Sequence, residues 1–158
     1  MKIAIIGYGK MGHEIERAAK LMGIAVQCII DPKDPGATHK SIDEKSMQNV
    51  DVCIDFTRPD AVLENINQIS KFKKNIVVGT TGWDNSLEKA KEISRKNSLG
   101  LVYASNFSIG VNVFFRIIEN AAKIMNNLSD YDVFGYELHH NKKLDSPSGT
   151  AKSIEKIL

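Results

Sequence analysis

The sequence predicts an α/β protein: a doubly wound parallel sheet followed by the start of an α+β segment. Three observations carry this expectation. Apolar runs of strand length alternate with helical patterns from Ile3 to about Ala104. The first run ends in a glycine turn, Gly7-Tyr8-Gly9-Lys10-Met11-Gly12, that opens a helix. Beyond Ser108 the alternation stops and one long apolar helical pattern takes over.

Taken in order, Ile3 to Ile6 is a strand ended by the glycine turn. A helix follows, with Met11, Ile15, Ala18, Ala19 and Met22 at three- and four-residue spacing and Gly23 placed to close it. Ile24 to Ile30 is a β-rich run that ends at Asp31-Pro32. A glycine cluster alone is only a turn. Strand, G-x-G-x-x-G, helix, strand and an acidic residue about twenty positions further on together make a Rossmann-type dinucleotide fingerprint. Gly7 permits the tight turn, Gly9 lets a pyrophosphate approach the backbone, and Gly12 packs helix against strand. Tyr8, Lys10 and Met11 complete the turn, and the free N–H groups of the helix start face the phosphates. Asp31 is placed to accept hydrogen bonds from the ribose hydroxyls. That favours NADH over NADPH, while Lys33 beside it keeps both cofactors in play.

Asp31 to Asn49 is polar, with Pro32, Pro35 and Gly36, and reads as a surface loop with room for a short helix. Val50 to Phe56 is a strand. Thr57 is placed to cap the next helix and Pro59 fits its first turn. That helix runs to about Lys71 with Val62, Leu63, Ile66 and Ile69 on its buried side, and Lys71, Lys73 and Lys74 read as its solvated end. Asn75 to Val78 is a strand, followed by Gly79-Thr80-Thr81-Gly82-Trp83 at the carboxyl edge of the sheet, where ligands bind. A ligand loop and a plain capped turn fit this local pattern equally. Leu87 to Asn97 reads as a helix and Leu99 to Ala104 as a strand, with Ser105-Asn106-Phe107-Ser108 at the same edge. The alternation implies right-handed crossovers.

Val111 to Asn127 reads as a helix with Val113, Phe114, Phe115, Ile117, Ile118, Ala121 and Ile124, a breadth that predicts burial on more than one side. Asn126, Asn127, Ser129 and Asp130 form a turn. Val133 to His139 reads as a strand, with Glu137 and His139 on one face and Phe134, Tyr136 and Leu138 on the other. A last helix starts near Ser148 and runs toward Leu158. One helix and one strand cannot cover their own apolar surface. The chain is therefore expected to be cut short at its C-terminal side or to lean on another subunit. The predicted organisation is a dinucleotide-binding domain over residues 1–107 and a partial second domain over 108–158.

Composition narrows the function classes. The 158 residues are 42% hydrophobic and 25% charged, as in soluble globular domains, and the net charge is +2. Such a balance argues against a general nucleic-acid or membrane-surface binder. Cys28 and Cys53 sit far apart in apolar runs, outside any CxxC pair, so neither a metal site nor a disulfide framework is suggested. The first apolar run is too short for a signal-peptide core and no run reaches membrane-spanning length, so a cytoplasmic protein is expected.

The densest chemistry lies in Glu137-Leu138-His139-His140-Asn141-Lys142-Lys143-Leu144-Asp145-Ser146-Pro147-Ser148-Gly149-Thr150. Imidazole exchanges protons near neutral pH, lysine supplies a cation or an acid, and a Ser-Gly-Thr turn can hold an anion. A histidine pair by itself is more often a surface feature. With Lys143 and Ser148, Gly149 and Thr150 beside it, the stretch reads as a proton-handling pocket for an acidic substrate.

Five motifs together resemble the 4-hydroxy-tetrahydrodipicolinate reductase family, also called dihydrodipicolinate reductases, of the diaminopimelate route to lysine. They are the turn Gly7 to Gly12, Ile54-Asp55-Phe56-Thr57-Arg58-Pro59, Gly79-Thr80-Thr81-Gly82, Ser105 to Asn112, and Glu137 to Thr150. The resemblance runs from Met1 to Leu158. It implies a homotetrameric oxidoreductase that uses NADH or NADPH and acts on a cyclic dicarboxylate. The first domain would hold the nucleotide through the glycine turn, Asp31, Gly79 to Thr81, and Ala104, Ser105, Asn106 and Phe107. The second would carry substrate binding and tetramer assembly. His139 would be the proton donor or acceptor and Lys143 the proton donor. His140, Ser148, Gly149 and Thr150 would hold the substrate carboxylates. The chain departs from the family pattern at Asn141, where many relatives carry a basic residue. A second expectation is a shortened nucleotide-binding module without turnover.

Overall fold

The computed structural model describes residues 1–141 and 146–158. The chain divides into two compact units, Met1–Ala104 and Ser105–Leu158.

The first unit is a parallel α/β sheet. Its elements are β1 (Lys2–Ile6), α1 (Lys10–Leu21), β2 (Ala25–Ile30), β3 (Val52–Asp55), α2 (Pro59–Lys71), β4 (Asn75–Val78), a 3-10 turn (Asp84–Ser86), α3 (Leu87–Asn97) and β5 (Leu101–Tyr103). The strand order is β2-β1-β3-β4-β5 and every pairing is parallel. Ile6 lies opposite both Ile30 and Asp55, Asp55 opposite Val78, and Val78 opposite Tyr103. The carboxyl ends of all five strands therefore finish along one edge.

Both faces of the sheet are covered, which is why its strands read as unbroken apolar runs rather than alternating ones. Ala4 and Ile6 face one core, with Cys28, Cys53, Ile76 and Val78 and the helix residues Val62, Ile66 and Ile69. Ile3 and Ile5 face the other, with Ile29, Tyr8 and Ala19. Each fully buried isoleucine, such as Ile5 or Ile66, contributes about 1.5–3 kcal/mol by leaving water. The two cysteines are free and buried, and burial pushes Cys28 up to about 11 and Cys53 up to about 12, so neither is a nucleophile at neutral pH.

Helix α1 lies on the second face through its smallest residues, Gly12 and Ala19, while Met11 and Met22 stand exposed at 50% and 73%. The predicted apolar stripe is thus narrower than its residue types suggested, because close approach selects small side chains. The helix ends where Gly23, at φ +67, lets its own N–H reach the Lys20 carbonyl and the Ile24 N–H reach that of Ala19. That pairing satisfies carbonyls the helix would otherwise leave open.

Three local expectations for this unit require correction. The segment after β2 forms no helix; it meets the sheet through a bridge between Ile30 and His39 and through Thr38 and Ser46, and it buries Ser46 and Met47 rather than lying wholly on the surface. Thr57 does not cap α2, because its hydroxyl donates to the Asp55 carboxylate at 2.7 Å. The N-cap is Arg58, without a side-chain cap bond, and Pro59 takes the first turn as expected.

The second unit holds α4 (Ile109–Met125) and α5 (Gly149–Glu155), capped by the hydroxyls of Ser108 and Ser148, which accept from the N–H groups of Val111 and Ala151. The two helices touch, and Ala122 of α4 is buried. The breadth of apolar residues on α4 predicted burial on more than one side. Instead Ile109, Val113, Phe114, Ile117 and Ile124 are exposed. Val133 to His139 forms no strand. A strand needs a neighbour for its N–H and C=O groups, and none of the described residues of this unit is in one.

Candidate functional site

In an open parallel sheet, ligands bind outside the carboxyl ends of the strands, where the direction of winding reverses. Here the chain winds from β1 to β2 on one side and continues through β3, β4 and β5 on the other, so the reversal lies between β1 and β3. Each loop is held to the neighbouring strand end, since Gly7 N–H donates to Ile30 O of β2 and Phe56 N–H to Ile6 O of β1, both at 2.9 Å.

Two hollows open at this edge. One, about 480 Å³, is lined by Gly9, Lys10, Met11, Phe56, Thr57, Pro59, Gly79, Thr80 and Thr81. The other, about 490 Å³, includes Gly7, Gly9, Asp31, Lys33, Lys40, Thr57 and Arg58. A slightly larger hollow of about 580 Å³ lies among Glu44 to Asn49, Phe72 and Lys74, where β3 and β4 begin. It lies at the opposite end of the strands from the carboxyl edge.

The glycine turn fits a dinucleotide. A Cβ on Gly9 would meet nothing within 4 Å, so the backbone there is open to a phosphate. A Cβ on Gly12 would lie 2.3 Å from the Gly7 carbonyl oxygen, so only glycine lets α1 sit this close. The α1 N-terminus, with Gly9 as N-cap, carries unpaired N–H groups and the positive end of the helix dipole. Tyr8 contributes its backbone rather than its ring: the ring is buried against His13 and its hydroxyl donates to Glu16.

Asp31 is held by amides. Its Oδ2 accepts from Tyr8 N–H at 2.9 Å and its Oδ1 from Lys33 and Asp34 N–H at 2.8 and 3.0 Å. Partial burial pushes its carboxyl upward, but the three amide bonds outweigh this, with Lys40 adding to them, and hold it below the usual range. A carboxylate offers about four acceptor positions. Three are used, which leaves capacity for a ribose hydroxyl.

Of the other sequence-predicted cofactor residues, Gly79, Thr80 and Thr81 come to the same hollow as the glycine turn. Ala104 belongs to the first unit, and Ser105, Asn106 and Phe107 to the second. In the latter, Asn106 Oδ1 accepts from Ser108 N–H at 2.8 Å, which prepares the start of α4.

The second unit assembles a cluster of its own. Glu137 Oε2 lies 2.8 Å from His139 Nε2, its Oε1 accepts from Ser148 N–H at 2.8 Å, and the Ser148 hydroxyl donates to Oε2 at 2.5 Å. The hydroxyl of Ser148, then its amide, then His139 stabilise the charged form and bring the Glu137 carboxyl down to about 2. Both donors of Ser148 are thus committed to Glu137. Gly149 and Thr150 open α5 beside it, and His140 is exposed. Lys143, predicted as a proton donor, lies outside the described residues, as do Lys142, Leu144 and Asp145.

The N-terminal model of dihydrodipicolinate reductase matches residues 1–107 and the C-terminal model matches residues 110–158. This chain belongs to the dihydrodipicolinate reductase family. A 4-hydroxy-tetrahydrodipicolinate reductase of Christiangramia forsetii is 44% identical over 154 residues, covering 98% of this chain and 62% of that protein. A dihydrodipicolinate reductase from Paenisporosarcina sp. TG-14, solved with dipicolinate bound, is 26% identical with a TM-score of 0.75, over 99% of this chain and 64% of that one. The chain thus spans less than two thirds of the length of these family members. An aspartate dehydrogenase of Thermotoga maritima, 22% identical with a TM-score of 0.55 over 75% of this chain and 52% of that one, shares the fold.

Sequence reasoning passed over several residues that meet at the edge. Phe56, Thr57 and Arg58 line the hollows, and Asp55 sits directly beneath them, fully buried. Their signal was present in the Ile54 to Pro59 motif, from which only a helix cap at Thr57 and a first-turn place for Pro59 had been read. Glu137 was placed on the face of His139 without being given a task.

Proposed function

We propose that this chain carries the nucleotide-binding domain and part of the substrate domain of a reductase. Its substrate is 4-hydroxy-tetrahydrodipicolinate and its product tetrahydrodipicolinate, on the diaminopimelate route to lysine. The observation that carries the reading is the glycine-turn cleft at the reversal between β1 and β3, in a chain whose halves both match this family. When bound, a reduced nicotinamide supplies a hydride.

In this reading the amides of Gly7 to Gly12, with Tyr8, Lys10 and Met11, hold the pyrophosphate at the start of α1. Asp31 accepts from the ribose with its remaining capacity and repels a 2′-phosphate, which favours NADH, while Lys33 and Lys40 nearby keep NADPH admissible. Gly79, Thr80, Thr81, Ala104, Ser105, Asn106 and Phe107 wall the nicotinamide half. His140, Gly149 and Thr150 hold the carboxylates of a cyclic dicarboxylate, the chemistry of the dipicolinate bound in the Paenisporosarcina relative. Ser148 serves through Glu137.

The reacting ring gains negative charge toward its nitrogen, and an acid within reach must quench it. His139 and Lys143 supply that acid. Glu137 fixes the His139 ring from the Nε2 side, which leaves Nδ1 as the nitrogen that exchanges a proton with substrate. The family's enzymes are expected to work as homotetramers in the cytoplasm.

Replacing His139 with Gln tests the assignment. Turnover should fall by about 10²–10⁴-fold, the usual worth of a positioned proton donor, while the NADH dissociation constant changes less than about twofold. Equal losses in turnover and nucleotide affinity would place His139 in a structural role.

A further inference from the structure

We propose that Asp55 is a positioning residue whose buried carboxylate locks the loop after β3 to the loop after β4 and so holds both walls of the cofactor cleft. The inference rests on the nucleotide reading above but assigns a residue that the reading does not use.

Asp55 ends β3 and is 0% exposed. Burying a charge in this way is costly unless hydrogen bonds replace the lost water. Four donors do so. Its Oδ1 accepts from Thr57 N–H at 3.0 Å, from the Thr57 hydroxyl at 2.7 Å and from the Thr80 hydroxyl at 3.2 Å. Its Oδ2 accepts from the Asn65 amide on α2 at 2.8 Å. Its backbone carbonyl takes Gly79 N–H at 2.9 Å. One residue thus gathers the loop after β3, the loop after β4 and the first half of α2.

The tie is local to the cleft. Phe56, Thr57, Pro59, Gly79, Thr80 and Thr81, which flank these bonds, are the residues that face the glycine turn across the 480 Å³ hollow. Packing follows the same line: a Cβ on Gly79 would fall 2.0 Å from the end of the Phe56 ring, so the two loops are fitted to each other. Trp83 extends the contact by donating its indole N–H to Thr80 O at 2.8 Å. Desolvation pushes the Asp55 carboxyl upward and the Thr57, Asn65 and Thr80 bonds pull it back, with a net rise.

The replacement Asp55→Asn preserves shape but turns one acceptor into a donor. One amide orientation sets the new NH2 against the Thr57 and Thr80 donors. The other sets it against Asn65, whose amide must turn over to accept and so gives up its bond to the Thr57 hydroxyl. The whole chain would be followed by calorimetric titration with NADH and by amide hydrogen exchange. Asp55→Asn should weaken NADH at least tenfold and speed exchange in both 56–58 and 79–82, with β2 and α1 unchanged. The exchanged pair, Asp55→Asn with Asn65→Asp, should restore most of the affinity because donor again faces acceptor. It also serves as the second test should the single variant not fold. Wild-type affinity in a folded Asp55→Asn chain, or faster exchange in one loop alone, overturns the inference. So does an exchanged pair that stays unfolded or unbound. A wild-type chain that binds no NADH fails at an earlier point, overturning the nucleotide reading itself, and the exchange data still report on the loops.

Discussion

At neutral pH the carboxylate of Glu137 can only accept, so the Nε2 nitrogen 2.8 Å from it must carry a hydrogen. This fixes the His139 tautomer without any help from the substrate. Its titration gives a prediction at the same scale. The folded value of about 2 lies below the ordinary 4.5, so the cluster's contribution is present above the ordinary value and lost as pH falls toward 2. Carboxyl carbon NMR of Glu137 should show a midpoint near 2, with the Ser148 amide shift following the same curve. A midpoint near 4.5 would mean that the Ser148 and His139 bonds do not persist in solution.

The elements of the first unit were legible almost throughout. Asn75–Val78, Leu87–Asn97 and Pro59–Lys71 fall where period and Gly/Pro punctuation put them. Such signals are local, and the chain there obeys local rules. Thr57 was misread as a cap because a threonine two residues before a proline looks like one; the buried Asp55 carboxylate competes for its hydroxyl. Met11 and Met22 share the helical spacing of the buried residues yet stand exposed, because hydropathy does not encode how closely α1 approaches the sheet. The Val133 to His139 strand was misread because alternation reports a preference, and pairing partners are not written in the segment itself. In the site, the glycine turn and Asp31 were readable from spacing, whereas Asp55 and Glu137 also depend on partners 10 to 25 and 11 residues away, which spacing does not show. The Gly12 contact supplies the test at this scale. Gly12→Ala pushes a methyl to 2.3 Å from the Gly7 carbonyl, which backbone cannot absorb cheaply. A loss of about 1–3 kcal/mol in denaturant unfolding is expected, together with weaker NADH binding as the turn opens. Unchanged stability would show that α1 rides further from the turn.

For the whole molecule the contrast between the units matters most. Residues 1–104 wrap an apolar sheet on both faces, while the described residues of 105–158 leave Ile117 58% and Phe134 88% exposed. Substitutions at solvated positions stay within about 0.5 kcal/mol. Ile117→Ser and Phe134→Ser should therefore leave the unfolding midpoint of this chain nearly unchanged and reduce its binding of an apolar dye. A cost of about 2–5 kcal/mol, as for core truncation, would show that something covers them in solution. The same surface is why the decisive assay uses the chain joined to the C-terminal segment that its longer relatives carry, alongside the 158-residue chain itself. Freshly generated 4-hydroxy-tetrahydrodipicolinate is added and NADH absorbance is followed. The expected result is NADH loss that depends on both substrate and enzyme in the extended chain. An extended chain that binds NADH yet never oxidises it with this substrate would contradict the reductase reading.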